Sequence, residues 1–349
     1  MKYPPISRFP PAPLVLFVAA ALSSCTVRDI GVPLTPRTRV TFASVAEGAA
    51  VVGAQDEFVR AQSPFDRASR VKRNGPVSLQ EFLEHSQQQC AAWSDEEKRT
   101  LERAIAQIAP RLEGLTLDLP ERVVLVKTEV AQEAGAPHTR GASIVLPGGA
   151  RGSNADSLER LLAHELFHVL SRNSPSTRAA LYRVVGFELC DDVTIPTELA
   201  LRKLTNPDAP RLACQAEIEH EGQTLHITPL LLSKASSYDE KAGGPFFQYL
   251  DFKLLVIEEQ GGRWRAALKS GQPWLLDPAA TPGYHEKIGR NSGYVIHPEE
   301  VLADNFVLLL HGSSDVPTPR VLDGMRDVLR ASRGAIETYD PRHTPEAVR

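Results

Sequence analysis

Apolar residues recur at helical spacing in two stretches far apart in the chain, and short apolar runs lie upstream of the first. Leu158, Leu161, Leu162, Leu166, Phe167, Val169 and Leu170 outline a buried helix, with Asp156 read as its N-cap and Glu159 as the capping-box partner. A second buried helix is predicted where Pro298, at a first helical position, is followed by Val301, Leu302, Phe306, Val307 and the leucines at 308–310. Ser78 with Glu81 and Ser94 with Glu97 form two further capping boxes, and the second opens an amphipathic helix through Leu101, Ile105 and Ile108 toward Pro110. Residues 123–126 and 142–146 read as strands separated by a polar connection and closed by Pro147-Gly148-Gly149. The pattern predicts an α+β protein: a helical N-terminal part over 54–118, a small sheet, the first buried helix, a long segment over about 171–290, and the second buried helix.

The first residues set a location. Lys2 and Arg8 precede a nine-residue apolar stretch over 14–22, and Leu22-Ser23-Ser24-Cys25 has the small residues and cysteine of a bacterial lipoprotein cleavage box. Nine residues are too few to span a bilayer. The expectation is a signal peptide over 1–24, lipid on Cys25, and a Pro- and Arg-containing tether over 25–53 that lifts the folded part off the membrane. Thr26, where an aspartate would favour inner-membrane retention, points to the outer membrane of the cell envelope. Formal charge is −4, and removal of the basic leader would make the remainder more acidic, which argues against a nucleic-acid partner. Cys190 and Cys214 are spaced to close a loop, and three buried thiols including Cys90 are an equal alternative.

The chemistry lies in the first buried helix. His164, Glu165 and His168 stand in the H-E-x-x-H spacing, so two imidazoles one turn apart share a face and can reach one zinc ion. Glu165 can then act as general base on a water at the open coordination position. Ten histidines make a chance match unusual but not negligible, and the apolar flanks of the triad sharpen the signal. A third ligand is needed. Glu300 is favoured, with Asp304 one turn on to hold a ligand histidine and Ala303 small enough for the helices to approach; Glu188 is the alternative, in a segment where the helix is ending. Glu299 faces about 100° away from Glu300 and reads as a poorer ligand.

His164-Glu-Leu-Phe-His168 followed by Glu300-Val-Leu-Ala-Asp304 resembles the gluzincin class of zinc metallopeptidases. His-Glu-Leu-Phe-His-Val-Leu-Ser-Arg, Thr205-Asn-Pro-Asp-Ala-Pro210 and Gly293-Tyr-Val-Ile-His-Pro-Glu-Glu are similar to a group of bacterial lipoproteins that look like zinc peptidases. The resemblance implies a zincin-like fold, His164, His168 and Glu300 as ligands, Glu165 as base and Asp304 as partner of a ligand histidine. It also implies that the strand before the zinc helix, 141–146, is an exposed edge that pairs with an extended substrate. About 130 residues separate the two motifs, more than in compact members of the class.

Tyr294 and His297, just before the second helix, are nominated as donors to the oxyanion of a tetrahedral intermediate, ahead of Tyr284 and His285. The loop over 206–210 reads as turn chemistry that shapes a cleft. The expected function is zinc-dependent hydrolysis of a peptide or protein substrate. The alternatives are a zinc-binding lipoprotein without turnover and an amidase acting on cell-wall peptide.

Overall fold

Val123, Leu125 and Val126 are fully buried because the strand that carries them lies in the middle of a sheet. The computed structural model describes residues 31–150, 153–242 and 244–331. The first sheet contains β1 (Val32–Pro33), β2 (Arg39–Phe42), β3 (Arg122–Thr128), β4 (His138–Arg140) and β5 (Ser143–Pro147), in the order β1-β2-β3-β5-β4. β2, β3 and β5 run parallel, and β1 and β4 are antiparallel outer strands.

Helices α1 (Val45–Val52), α2 (Glu57–Ala61), α3 (Pro64–Val71), α4 (Leu79–Gln88) and α5 (Asp95–Ile108) separate β2 from β3. Both predicted capping boxes open helices there, at Ser78 for α4 and Ser94 for α5. Part of the expected tether is corrected: residues 32–52 form β1, β2 and α1. Val40 alternates inward and pairs with Val123 in parallel register, while Pro33 sits on an outer strand, where a missing N–H costs little. The signal peptide and Cys25 lie outside the described residues.

α6 (Ala155–Asn173) follows β5 and carries the first motif. Its N-cap is Asn154, whose Oδ1 accepts the Ser157 N–H at 2.8 Å, and not Asp156 as expected. Glu159 is unavailable for a capping box because it turns inward to His311 (2.7 Å) and Arg111 (3.3 Å).

The long interval holds α7 (Pro175–Val184), β6 (Glu188–Leu189), α8 (Thr197–Ala200), β7 (Cys214–His220), β8 (Gln223–Ser233), β9 (Leu250–Gln260) and β10 (Arg263–Ala266), then β11 (Leu268–Lys269), β12 (Gln272–Pro273) and β13 (Leu275–Leu276). β10-β9-β8-β7-β6 form an antiparallel sheet, with β13 also on β9. α9 (Pro282–Ile288), α10 (Pro298–Leu310) and α11 (Pro319–Arg330) complete the described chain. Among the described residues no helix is long and apolar enough to cross a membrane. Cys90, Cys190 and Cys214 are free thiols, so the loop-closing disulfide is not formed.

One core joins the sheets and the motif helices. Phe167 on α6 and Phe306 on α10 pack with ring centroids 5.8 Å apart, and Ala163 and Ala303 are both fully buried. A smaller aromatic core, including Phe58, Phe65, Phe82 and Phe246, ties α2–α4 to the segments around Leu204 and Tyr238.

Candidate metal centre

α6 and α10 bring His164, His168 and Glu300 together. His164 Nε2 lies 3.2 Å from Glu300 Oε2 and His168 Nε2 lies 3.5 Å from the same oxygen. Two atoms about 2.1 Å from a tetrahedral ion are roughly 3.4 Å apart, so these separations suit one small divalent metal. His168 Nε2 is buried and makes no hydrogen bond, so it is an unpartnered nitrogen beside Glu300 Oε2. The donor set of two imidazoles and a carboxylate matches zinc chemistry. Glu188, the alternative ligand, is exposed in β6 with Gln215 and takes no part.

Each imidazole is held from behind. His164 Nδ1 donates to Asp304 Oδ1 at 3.0 Å, and Asp304 Oδ2 accepts from the Ser292 hydroxyl. His168 Nδ1 donates to Glu299 Oε1 at 3.2 Å. The other Glu299 oxygen accepts from the Ser171 hydroxyl at 2.9 Å and the Tyr182 hydroxyl at 2.7 Å, with Arg178 Nε 3.6 Å away. Glu299 thus faces away from the point where His164, His168 and Glu300 converge, and it fixes the orientation of His168. The angle that excludes it from the metal face aims it at the far side of His168.

Burial opposes charge on these rings, yet the hydrogen bonds to Asp304 and Glu300 outweigh it and push His164 up to about 10. Burial likewise works against a charged Glu299, but Arg178 and His168 hold the carboxyl down at about 2. Glu165 goes the other way. It is 4% exposed, and burial, followed by repulsion from Asp208, pushes it up to about 8. Its Oε2 has no hydrogen-bond partner, so a buried proton acceptor faces the space beside the three donor atoms.

The loop read as turn chemistry belongs to the site. Asn206 Nδ2 donates to Glu300 Oε1 at 2.5 Å, leaving Oε2 for the histidine side. Asp208 Oδ1 accepts the Thr139 N–H (2.8 Å) and hydroxyl (2.6 Å), and its carboxylate lies within 4.8 Å of donor atoms of Glu165 and His168. Arg172, in the last turn of α6, reaches Thr139 Oγ1 at 2.6 Å and the carbonyls of Pro207 and Asp208 at 3.4 Å. The sequence signal for these residues is weak. Two prolines make a rigid loop, but nothing local indicates that Asn206 meets a glutamate 94 residues on.

A cavity of about 530 Å³ opens onto His164, Glu165 and Glu300. Tyr294 lines it and is 42% exposed; partial desolvation and then the Glu300 and Asp208 carboxylates hold its phenol above the ordinary range. His297 does not line it. It caps α10, with Nδ1 accepting the Glu299 N–H at 3.1 Å and Nε2 lying 3.6 Å from Cys214 Sγ; burial lowers it to about 4. The nomination of His297 as an oxyanion donor is therefore corrected: helix capping explains its position. Tyr284 gives its hydroxyl to the Val295 carbonyl at 2.5 Å.

The expected substrate-binding edge is also corrected. β5 is an inner strand between β3 and β4, and the edge is β4. Comparison with known proteins finds no match: no family model, curated protein or solved structure is similar to this chain.

Proposed function

We propose that this protein is a zinc-dependent metallopeptidase of the gluzincin type, with a zincin-like catalytic fold enlarged by the second sheet, anchored in the bacterial envelope through lipid on Cys25. The observation that carries the reading is Glu165: a buried carboxylate with a free oxygen, beside two imidazole nitrogens and a carboxylate oxygen that converge on one point.

His164, His168 and Glu300 would hold the metal, and a zinc ion so bound supplies Lewis acidity to a carbonyl and to a water. Glu165 accepts the water proton at its free oxygen and returns it to the leaving amine. Asp304 and Glu299 hold the Nδ1–H of both histidines, so that Nε2 is the nitrogen each ring would give to a metal once its proton is displaced. Tyr294, at the cavity wall, keeps its proton and can donate to the developing oxyanion.

The test is metal content and turnover in a form beginning at residue 26. One zinc per chain is expected in wild type and Glu188→Ala, and loss in His168→Ala and Glu300→Ala. Glu165→Gln should keep its zinc and lose at least about 100-fold in peptide hydrolysis. A folded wild type that takes up no zinc would sink the reading. Labelling with radioactive palmitate, abolished in Cys25→Ser, tests the anchor separately.

A further inference from the structure

The β4 edge of the first sheet offers an extended peptide few free backbone donors. In an antiparallel ladder alternate residues point their N–H and C=O away from the neighbouring strand. In β4 the outward N–H is that of Thr139, and Asp208 accepts it at 2.8 Å. Pro137, two residues earlier, has no N–H to offer. Gly141, two residues later, gives its carbonyl to Arg172 at 3.1 Å. Backbone pairing along this edge would require breaking the buried Thr139–Asp208 bond and the Arg172–Gly141 contact, both tied to the loop that holds Asn206.

The opposite wall of the cavity is built for something else. Leu231 from β8, Leu250 from β9, and Leu204, Phe246, Phe247 and Ile296 from the connecting segments line it. Phe246 is fixed by the Arg70 guanidinium 4.5 Å from its ring centroid, and Phe247 lies against it at 4.2 Å. Phe247 is 43% exposed at the mouth, an arrangement that leaves a large apolar side chain in water unless something covers it. The same cavity is bounded by His164, Glu165 and Glu300, so a group on this wall shares one cavity with the proposed metal site and its general base. Its volume, about 530 Å³, is in the range of small-ligand pockets and accommodates one bulky side chain with its flanking backbone.

We propose that this site selects its substrate by burying one bulky apolar side chain, of leucine or phenylalanine type, against the Leu204–Phe247 wall, and does not align an extended peptide along the sheet edge. This deepens the metallopeptidase reading and rests on it. The second sheet is then the specificity element, since it contributes Leu231 and Leu250.

The experiment uses the zinc-loaded protein and three amino-acid hydroxamates that share a metal-binding group and differ only in side chain: alanine, leucine and phenylalanine. Calorimetric titration should give the leucine and phenylalanine compounds an affinity 10- to 100-fold above alanine, about what burial of several carbons provides. Phe247→Ser, at an exposed position that leaves the core intact, should reduce that advantage several-fold without changing alanine binding. A peptide hydroxamate carrying an N-methyl group one residue further from the metal should bind within about twofold of its parent, because backbone pairing is not used. Equal affinity for all three side chains in a zinc-loaded protein, or a large loss on N-methylation, overturns the inference and leaves the metal reading in place. Failure of every compound in a protein that also takes up no zinc overturns the metal reading and the inference together.

Discussion

His168 and Glu299 are 131 residues apart in the chain, and the imidazole Nδ1 of one meets a carboxylate oxygen of the other at 3.2 Å. Through Tyr182, Ser171 and Arg178, the same carboxylate is fastened to α6 and α7. Glu299→Gln preserves the shape of this contact and removes its charge. Zinc affinity measured by chelator competition should fall about 10- to 100-fold, with the fold retained. Unchanged affinity would mean that Glu299 merely fills space.

Ala303 is fully buried on α10, the helix that meets α6 through the Phe167–Phe306 contact. Ala303→Leu should force the helices apart, costing about 1–3 kcal/mol in urea denaturation. Zinc uptake should drop with it, because Glu300 and the histidines sit on opposite sides of that contact. Ala303→Ser should do neither.

Arg70 is buried between Asp66 and Glu133 and donates to the Thr205 carbonyl at 2.9 Å, so it ties α3 to the loop that holds Asn206. Arg70→Met keeps the stem and leaves two buried carboxylates without their cation, Asp66 retaining only the Ser63 and Thr205 N–H groups. A loss of about 3–5 kcal/mol is expected in equilibrium unfolding. Replacing Asp66 and Glu133 by Asn and Gln in the same chain should recover part of it.

His138 on β4 is buried, and that burial lowers its pKa from 6.5 to about 4. The folded state therefore binds fewer protons than the unfolded state between these values, and stability falls as pH drops through that window. The stabilisation is complete above pH 6.5, and its loss amounts to about 3 kcal/mol by pH 4. Denaturation midpoints of wild type and His138→Phe, measured at pH 7 and pH 4.5, should diverge only at the lower pH. Parallel profiles would show that other groups set the acid limit.

The motif helices were readable because their evidence is local. The H-E-x-x-H spacing, Pro298 and the two capping boxes each act within one or two turns, and the structure brings His164, His168, Glu300 and Asp304 together as the spacing implied. What could not be read depends on partners distant in sequence. Asn206 and Asp208 look like turn residues until Glu300 and Thr139 are placed beside them. β2 looked like tether because its parallel partner β3 comes about 80 residues later, and proline content spoke louder than the short alternation Arg39-Val-Thr-Phe42. His297 was misjudged for a related reason: proximity to Glu300 along the chain says nothing about which side of the helix terminus a side chain takes.

The second sheet between α6 and α10 has a kinetic consequence. His164 and Glu300 are 136 residues apart, so a chain growing at roughly 5–20 residues per second carries the two histidines for on the order of ten seconds before Glu300 exists. Closing so distant a contact is also slow after synthesis. On the proposed metal reading, tight capture would be one of the last events in maturation, and a stalled or truncated chain ending before α10 would leave the quality-control machinery a product that lacks Glu300.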